Sequence, residues 1–288
     1  MDHFSADDGE RLSVRIHGNG PPLILLHGWT ASHAVWNPVL ATLRPHHRIF
    51  CPDARGHGNH PRLVSQPPDV ARLARDVINL MDHFGVEKAA FAGHSMGALT
   101  LWQLVRDFGC QRLTHLCLID QSPKLMTDPT WSLGIYTDFD EQDARQFDDQ
   151  LQEDFAEAVL GLIASGLNAK AKETYARNSR GWQVMRESLR QLDPAPLIAI
   201  WRSLVRADYR DVLATVHVPT LLVWGEQSNF YSLATGDHVR RNMPMATLNT
   251  YASADHCPQL YQPERFAEEL IGFLANLPAN GRMIPPAP

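Results

Sequence analysis

Short apolar runs and longer amphipathic stretches alternate over the first 120 residues. Leu12, Val14 and Ile16 alternate with polar neighbours between Arg11 and His17, the pattern of a strand at a sheet edge. Gly18-Asn19-Gly20-Pro21-Pro22 is a turn. Leu23-Ile24-Leu25-Leu26 is a continuous apolar run, as expected of a strand covered on both faces. Trp36 to Leu43 reads as a short helix and Arg48 to Cys51 as the next strand. Val70, Leu73, Val77, Leu80, Met81 and Phe84 recur at three- and four-residue spacing, which predicts an amphipathic helix. Asp69 is its expected N-cap, and Gly85 ends it. Ala89 to Ala92 is apolar, Ala98 to Phe108 can form a helix, and Leu116-Cys117-Leu118-Ile119 reads as another buried strand. The alternation predicts an α/β protein with a mostly parallel sheet and helices on both faces.

The alternation then stops. From Lys124 to Arg210 only helical periods occur. Phe147, Leu151, Phe155, Val159 and Leu162 share one helical face. Tyr175, Trp182, Met185 and Leu189 suggest a second helix, and Leu197, Ile200, Trp201, Leu204 and Val205 a third. Val218 to Gly225 returns to the sheet, and Met245 to Asn249 reads as the last strand. Pro263 to Leu274 is the closing helix, with Phe266, Leu270, Ile271 and Phe273 expected toward the core. The tail from Pro278 is rich in proline and expected to be loose. The chain thus divides into a first core part (1–123), a helical insertion (124–210), a second core part (211–277) and a tail (278–288).

Composition narrows the partners. The formal charge of −6 gives no support for nucleic acid binding. Cys51, Cys110, Cys117 and Cys257 show neither metal-ligand spacing nor a dense disulfide pattern, so reduced thiols in a cytoplasmic protein are expected. The polar, acidic start predicts no signal peptide, and no apolar run approaches membrane-spanning length. No motif asks for a metal or an organic cofactor. Asp138 to Glu157 is strongly acidic, with Arg145 its only positive residue, and reads as a solvated helix face.

Candidate chemistry gathers at strand ends. Gly93-His94-Ser95-Met96-Gly97 lies between an apolar strand and a helix. Gly93 and Gly97 leave room where a side chain would clash, and Ser95 would stand at the apex of a sharp turn. His27, Ser95 and Asp120 all follow apolar strands, and ligands of such sheets bind at the carboxyl ends of strands. A serine hydroxyl is a poor nucleophile until a base removes its proton, and histidine suits that task near neutral pH. Among fourteen histidines abundance selects none, and His94 cannot readily bend back to its neighbour's hydroxyl.

His27-Gly28-Trp29, Asp53-Ala54-Arg55-Gly56-His57-Gly58, Gly93-His94-Ser95-Met96-Gly97, Trp224-Gly225-Glu226 and Asp255-His256-Cys257-Pro258, in this order from about Leu12 to Leu274, resemble the α/β-hydrolase family. The nearest branches are the small esterases, C–C hydrolases, haloperoxidase-like and dehalogenase-like members. The resemblance implies the α/β-hydrolase fold with a helical cap over the active site. It implies Ser95 as nucleophile, His256 as base, and the backbone N–H groups of Trp29 and Met96 as an oxyanion hole. Asp53 and Arg55 would brace their loop. The acid departs from the common pattern. Most relatives read Gly-Glu-X-Asp after the strand that ends at Trp224, whereas this chain has Ser228 in the acid's place. Some branches carry the acid one strand earlier, where Asp120 stands, and a carboxylate from either strand end can approach the same imidazole. Asp120 is therefore the expected acid, Glu226 the runner-up, and Asp237 and Asp255 more remote choices.

The function so implied is hydrolysis of a small or medium hydrophobic carboxylic ester or thioester through an acyl-enzyme. Two alternatives stand beside it. One is a cofactor-independent dioxygenase acting on an N-heteroaromatic substrate through a His–Asp dyad. The other is a non-catalytic protein that binds a hydrophobic small molecule. Trp131, Tyr136, Phe139 and Trp182 are candidates for an apolar substrate pocket.

Overall fold

The computed structural model describes residues 1–58, 67–136, 138–166 and 168–275. The tail expected at 278–288 and the boundary at 277 lie outside them. The core strands are β1 (Asp2–Ser5), β2 (Arg11–His17), β3 (Pro22–Leu26), β4 (Arg48–Pro52), β5 (Ala89–His94), β6 (Leu113–Ile119), β7 (Thr220–Gly225) and β8 (Ala246–Tyr251). They form one sheet in the order β1-β2-β4-β3-β5-β6-β7-β8. β1 and β2 run antiparallel to their neighbours, and every pair from β4 to β8 is parallel. β1 carries no hydropathy signal: only Phe4 of its four residues is buried, because the strand sits at the sheet edge.

The helices are α1 (Asn37–Leu43), α2 (Val70–His83), α3 (Met96–Phe108), α4 (Glu141–Glu153), α5 (Phe155–Ser165), α6 (Ala169–Ala176), α7 (Arg180–Arg190), α8 (Pro194–Arg206), α9 (Leu233–Asn242), α10 (Pro258–Tyr261) and α11 (Pro263–Ala275). The twofold period of β5 splits two apolar layers. Ala89 and Phe91 pack with α2 and α3, whereas Ala90 and Ala92 pack with α1 and α11. Asp69 caps α2 by accepting from the Arg72 N–H. In α11 the inward residues are Phe266, Ala267, Leu270 and Leu274, while Ile271 and Phe273 lie partly exposed at the rim. A helix stripe of period 3.6 cannot bury two residues on opposite flanks equally.

α4 to α8 all lie between β6 and β7. The two ends of this insertion meet at a neck, where the Tyr209 N–H donates to Pro123 O and Lys124 bridges Asp208. Two of the three expected helices are each broken in two. The face from Phe147 to Leu162 is interrupted at Asp154, whose extended backbone (φ −146°) ends α4 while its carboxylate accepts from the Glu157 N–H and caps α5. Tyr175 and Trp182 belong to different helices, separated by a turn in which Asn178 takes φ of 49°. Asparagine is among the few residues that tolerate this left-handed backbone. The third helix forms as one element, α8, capped by Asp193 with Pro194 in its first turn.

Candidate active site

β3, β5 and β6 end side by side, and their last residues open into one site. Between β5 and α3 the chain has no room for side chains beyond hydrogen. A Cβ on Gly93 would lie 2.6 Å from the Gly97 carbonyl carbon, and one on Gly97 would lie 2.4 Å from Leu26 O. Ser95, at the turn's apex, is held at φ 53° and ψ −114°, a backbone region that costs an L-residue on the order of 1–3 kcal/mol. Its N–H donates to Ile119 O across to β6, and its carbonyl accepts from Ala98 and Leu99 of α3. Met96 opens α3, so its own N–H is one that the helix cannot satisfy.

The loop after β3 lies directly against this turn. A Cβ on Gly28 would come within 2.9 Å of His94 Nδ1 and 3.4 Å of Ser95 Cβ. Trp29 follows, half-buried. Its indole Nε1–H donates to Leu197 O of α8 at 2.9 Å, and its ring packs on Trp201 and Phe155 at centroid distances of 4.8 and 5.7 Å. The loop after β4 braces from behind. The Asp53 carboxylate accepts from the His33 N–H at 2.7 Å and contacts the His33 ring. Arg55, fully buried, donates to Asp76 and Asp8. His57 packs on His27 and contacts Arg55 O, which keeps it within the brace.

Asp120 follows β6 and is wholly buried, with φ of 47°. Its Oδ1 lies 2.8 Å from His256 Nδ1 and 2.6 Å from Ser228 Oγ, and its Oδ2 accepts from the Gly225 N–H at 2.8 Å. His256 arrives on the loop after β8. Its carbonyl accepts from His94 Nε2 at 2.9 Å, and its N–H donates to Asn229 Oδ1. Phe230 meets the His256 ring edge-on with centroids 4.5 Å apart, and Tyr231 lies at 5.9 Å. Burial drives the buried pair toward its neutral forms. It pushes the Asp120 carboxyl up to about 7, against the donors Ser228 and Gly225, and the His256 ring down to about 4. An Nδ1–H aimed at Oδ1 opposes that drive by favouring the ionised carboxylate.

The other acids expected from the sequence lie elsewhere. Glu226 is exposed and accepts from Thr250 Oγ1, Asp237 pairs with Arg240 and Arg241 on α9, and Asp255 accepts from the Cys257 N–H. Three of the four pocket aromatics serve packing. Trp131 donates to Lys124 O at the neck, Trp182 donates to Thr174 Oγ1 against Tyr175, and Phe139 packs among Phe147 and Trp201. Trp182 and Phe139 pack within the insertion, while Trp131 also packs edge-on against His238 of α9. Tyr136 alone reaches the site, with its N–H on Phe230 O. Of the remaining aromatics, Phe230 meets the His256 ring, and Trp29, next to the Gly28 that lies against Ser95, packs on Trp201 and Phe155. Among the described residues, no group of three or more His, Cys, Asp or Glu side chains could hold a metal ion, and no helix is long and apolar enough to cross a membrane.

The chain is similar to known proteins over most of its length. The chain is 27% identical over 281 residues to a 3-oxoadipate enol-lactonase 1 of Acinetobacter baylyi, covering 93% of this chain and 95% of that one. It is 27% identical to a pimeloyl-[acyl-carrier protein] methyl ester esterase of Vibrio vulnificus, with 91% and 97% covered. An esterase from Exiguobacterium antarcticum superimposes with a TM-score of 0.83 over 95% of this chain and 99% of that one, at 19% identity. The family model described as alpha/beta hydrolase fold matches residues 21–263.

Proposed function

The chain belongs to the alpha/beta hydrolase fold family, and on that premise we propose that it is a serine hydrolase that cleaves a small or medium carboxylic ester or thioester through an acyl-enzyme. The observation that carries the reading is the 2.8 Å contact of His256 Nδ1 with Asp120 Oδ1, beside a serine held at strained backbone on the neighbouring strand end. The relatives named as esterase, methyl ester esterase and enol-lactonase support ester bonds as the class, and a lactone is a cyclic ester within the same chemistry.

In the proposed reaction Ser95 Oγ attacks the carbonyl carbon as His256 Nε2 takes its proton. Asp120 fixes the tautomer by holding the Nδ1–H, and it stabilises the imidazolium that forms. The N–H groups of Trp29 and Met96 hold the oxyanion. Collapse expels the alcohol or thiol, which receives the proton from His256. Water, activated by the same ring, then attacks the acyl carbon and frees Ser95. The helices of residues 124–210 act as a cap whose Trp201 and Phe155, with Trp29, give an apolar wall for the substrate. Four unpaired cysteines fit a reducing compartment, and the cytoplasm is the proposed location.

The test is a fluorophosphonate label mapped by peptide mass, followed by a panel of esters, lactones and thioesters. A single adduct on Ser95 with ester turnover is expected, and a label elsewhere or no turnover defeats the reading. One observation favours a second reading: the carboxylate comes from the β6 end, as in dioxygenase members of the resembling family. Oxygen consumption with an N-heteroaromatic substrate, in place of ester turnover, would select that reading.

A further inference from the structure

We propose that Ser228 is a positioning residue that holds the Asp120 carboxylate charged and aimed at His256. The inference deepens the functional reading and rests on His256 as the base. A serine hydroxyl has one proton and two acceptor lone pairs. The N–H groups of Phe230 and Tyr231 both donate to Ser228 Oγ at 3.2 Å. With both lone pairs engaged, the one proton is directed to Asp120 Oδ1, 2.6 Å away. That oxygen is also the acceptor for His256 Nδ1, while Gly225 occupies Oδ2. Ser228 is fully buried, so its hydroxyl exchanges with no solvent and faces this one carboxylate.

A carboxylate with no exposure takes up a proton unless donors stabilise its charge. A protonated Asp120 would no longer favour the imidazolium. Ser228 stands where the resembling family most often places the acid itself, and here that place supplies a donor to an acid from the next strand. The same turn carries Phe230 and Tyr231 against the His256 ring, so one short segment sets both the hydroxyl and the ring.

The pair also faces His94 on β5 with His27 behind it, Asp255 and Cys257 on its own loop, Tyr231 on the turn and Tyr136 from the insertion. These groups stay fixed in the comparison that follows. Loss of the Ser228 donor concentrates charge on Asp120, which raises the proton affinity of carboxylate and ring together. The pair then gives up its proton at higher pH.

The experiment is ring titration of His256 by NMR in the wild type and in Ser228→Ala, Ser228→Cys and Ser228→Thr, with kcat/KM against pH for an ester. The alanine variant is expected to raise the His256 pKa and the acid limb of kcat/KM by about one pH unit, the size of one charge-assisted hydrogen bond. The threonine variant, which keeps the hydroxyl, should return both toward wild type. If the alanine variant does not fold, the near-isosteric cysteine variant, with its weak donor, should show the same upward shift. An unmoved titration in the alanine or cysteine variant, even with a lower plateau, overturns the inference, as does a threonine variant shifted as far as alanine. Absence of ester turnover in the wild type defeats the functional reading instead, and the NMR titration then decides this one by itself.

Discussion

Ser95 and Asp120 stand flush at the ends of adjacent parallel strands, and both turn there into left-handed backbone, with φ of 53° and 47°. The register pairs His94 with Ile119, so the next residue of each strand is the one that leaves the sheet. Aspartate and asparagine are the L-residues that best tolerate this conformation at Asp120. Asp120→Asn is therefore a clean substitution: it keeps the backbone preference and the size while it removes the charge. Thermal unfolding should change little, because a buried charge is itself costly. Ester turnover should fall by about 10³–10⁴, the scale of a wrong histidine tautomer in a serine triad. Parallel measurement of Glu226→Gln should show near wild-type rates, since that exposed carboxylate is engaged with Thr250. The reverse order of losses would remove Asp120 from the acid's role.

The strain at Ser95 predicts a trade of stability against function. Its ψ of −114° at positive φ is a region that glycine enters readily and other residues do not. Ser95→Gly should abolish turnover and fluorophosphonate labelling. It should also raise the melting temperature by about 2 °C, corresponding to roughly 1 kcal/mol of relieved strain. Ser95→Ala should lose turnover without that gain. Equal melting temperatures for the two variants would mean that the turn holds Ser95 without stored strain.

How much of this was legible in the sequence differs from element to element. Leu23–Leu26 and Leu116–Ile119 announce themselves because a strand buried on both faces is apolar at every position. Asp2–Ser5 does not, because one buried Phe4 is too short a pattern. Asp154 could not be told from the other acids of its stretch, since its capping bond depends on a backbone turn that spacing does not encode. The positions proposed to react were marked by local motifs at strand ends. Their supports were not. Ser228 looks like a missing carboxylate in sequence, and only the fold brings its hydroxyl to Asp120 across 108 residues. Nor does adjacency to Ser95 reveal that His94 turns away to hold the His256 carbonyl.

His94 makes stability fall in acid. Burial pushes its ring down to about 3 from 6.5, so the folded protein keeps it neutral while the unfolded chain protonates it. The unfolded state then binds more protons between pH 6.5 and about 3, and stability is lost as pH falls through that window, by at most about 1.4 kcal/mol per unit. His256, pushed to about 4, acts in the same direction. Burial of Asp120, which pushes its carboxyl up, acts in the opposite direction to the extent that the donors Ser228, Gly225 and His256 do not hold its charge. The difference between wild type and His94→Gln isolates His94. Urea unfolding from pH 7 to pH 4 should give a shallower decline in the variant, and parallel curves would show that His94 does not titrate in the unfolded chain alone.

Whether the acid can be moved back to position 228 depends on space. An aspartate there would place its Cγ near the present Oγ, which lies 2.6 Å from Asp120 Oδ1, and one of its oxygens would reach toward the spot that Oδ1 now fills. His256 Nδ1 is 2.8 Å from that spot. The new carboxylate can therefore serve the ring only if the side chain at 120 leaves. Asparagine at 120 does not leave, and its amide would itself bind the newcomer. Glycine at 120 clears the volume and suits φ of 47° without strain. Ser228→Asp should accordingly raise turnover roughly 10- to 100-fold in the Asp120→Gly background, a fraction of the ~10⁴ at stake, and bring no gain in the Asp120→Asn background. Ser228→Asp alone should be inactive or poorly folded, because two carboxylates at that distance cannot both ionise. Equal recovery in the glycine and asparagine backgrounds would show that the new acid reaches His256 by a path other than the volume Asp120 now fills.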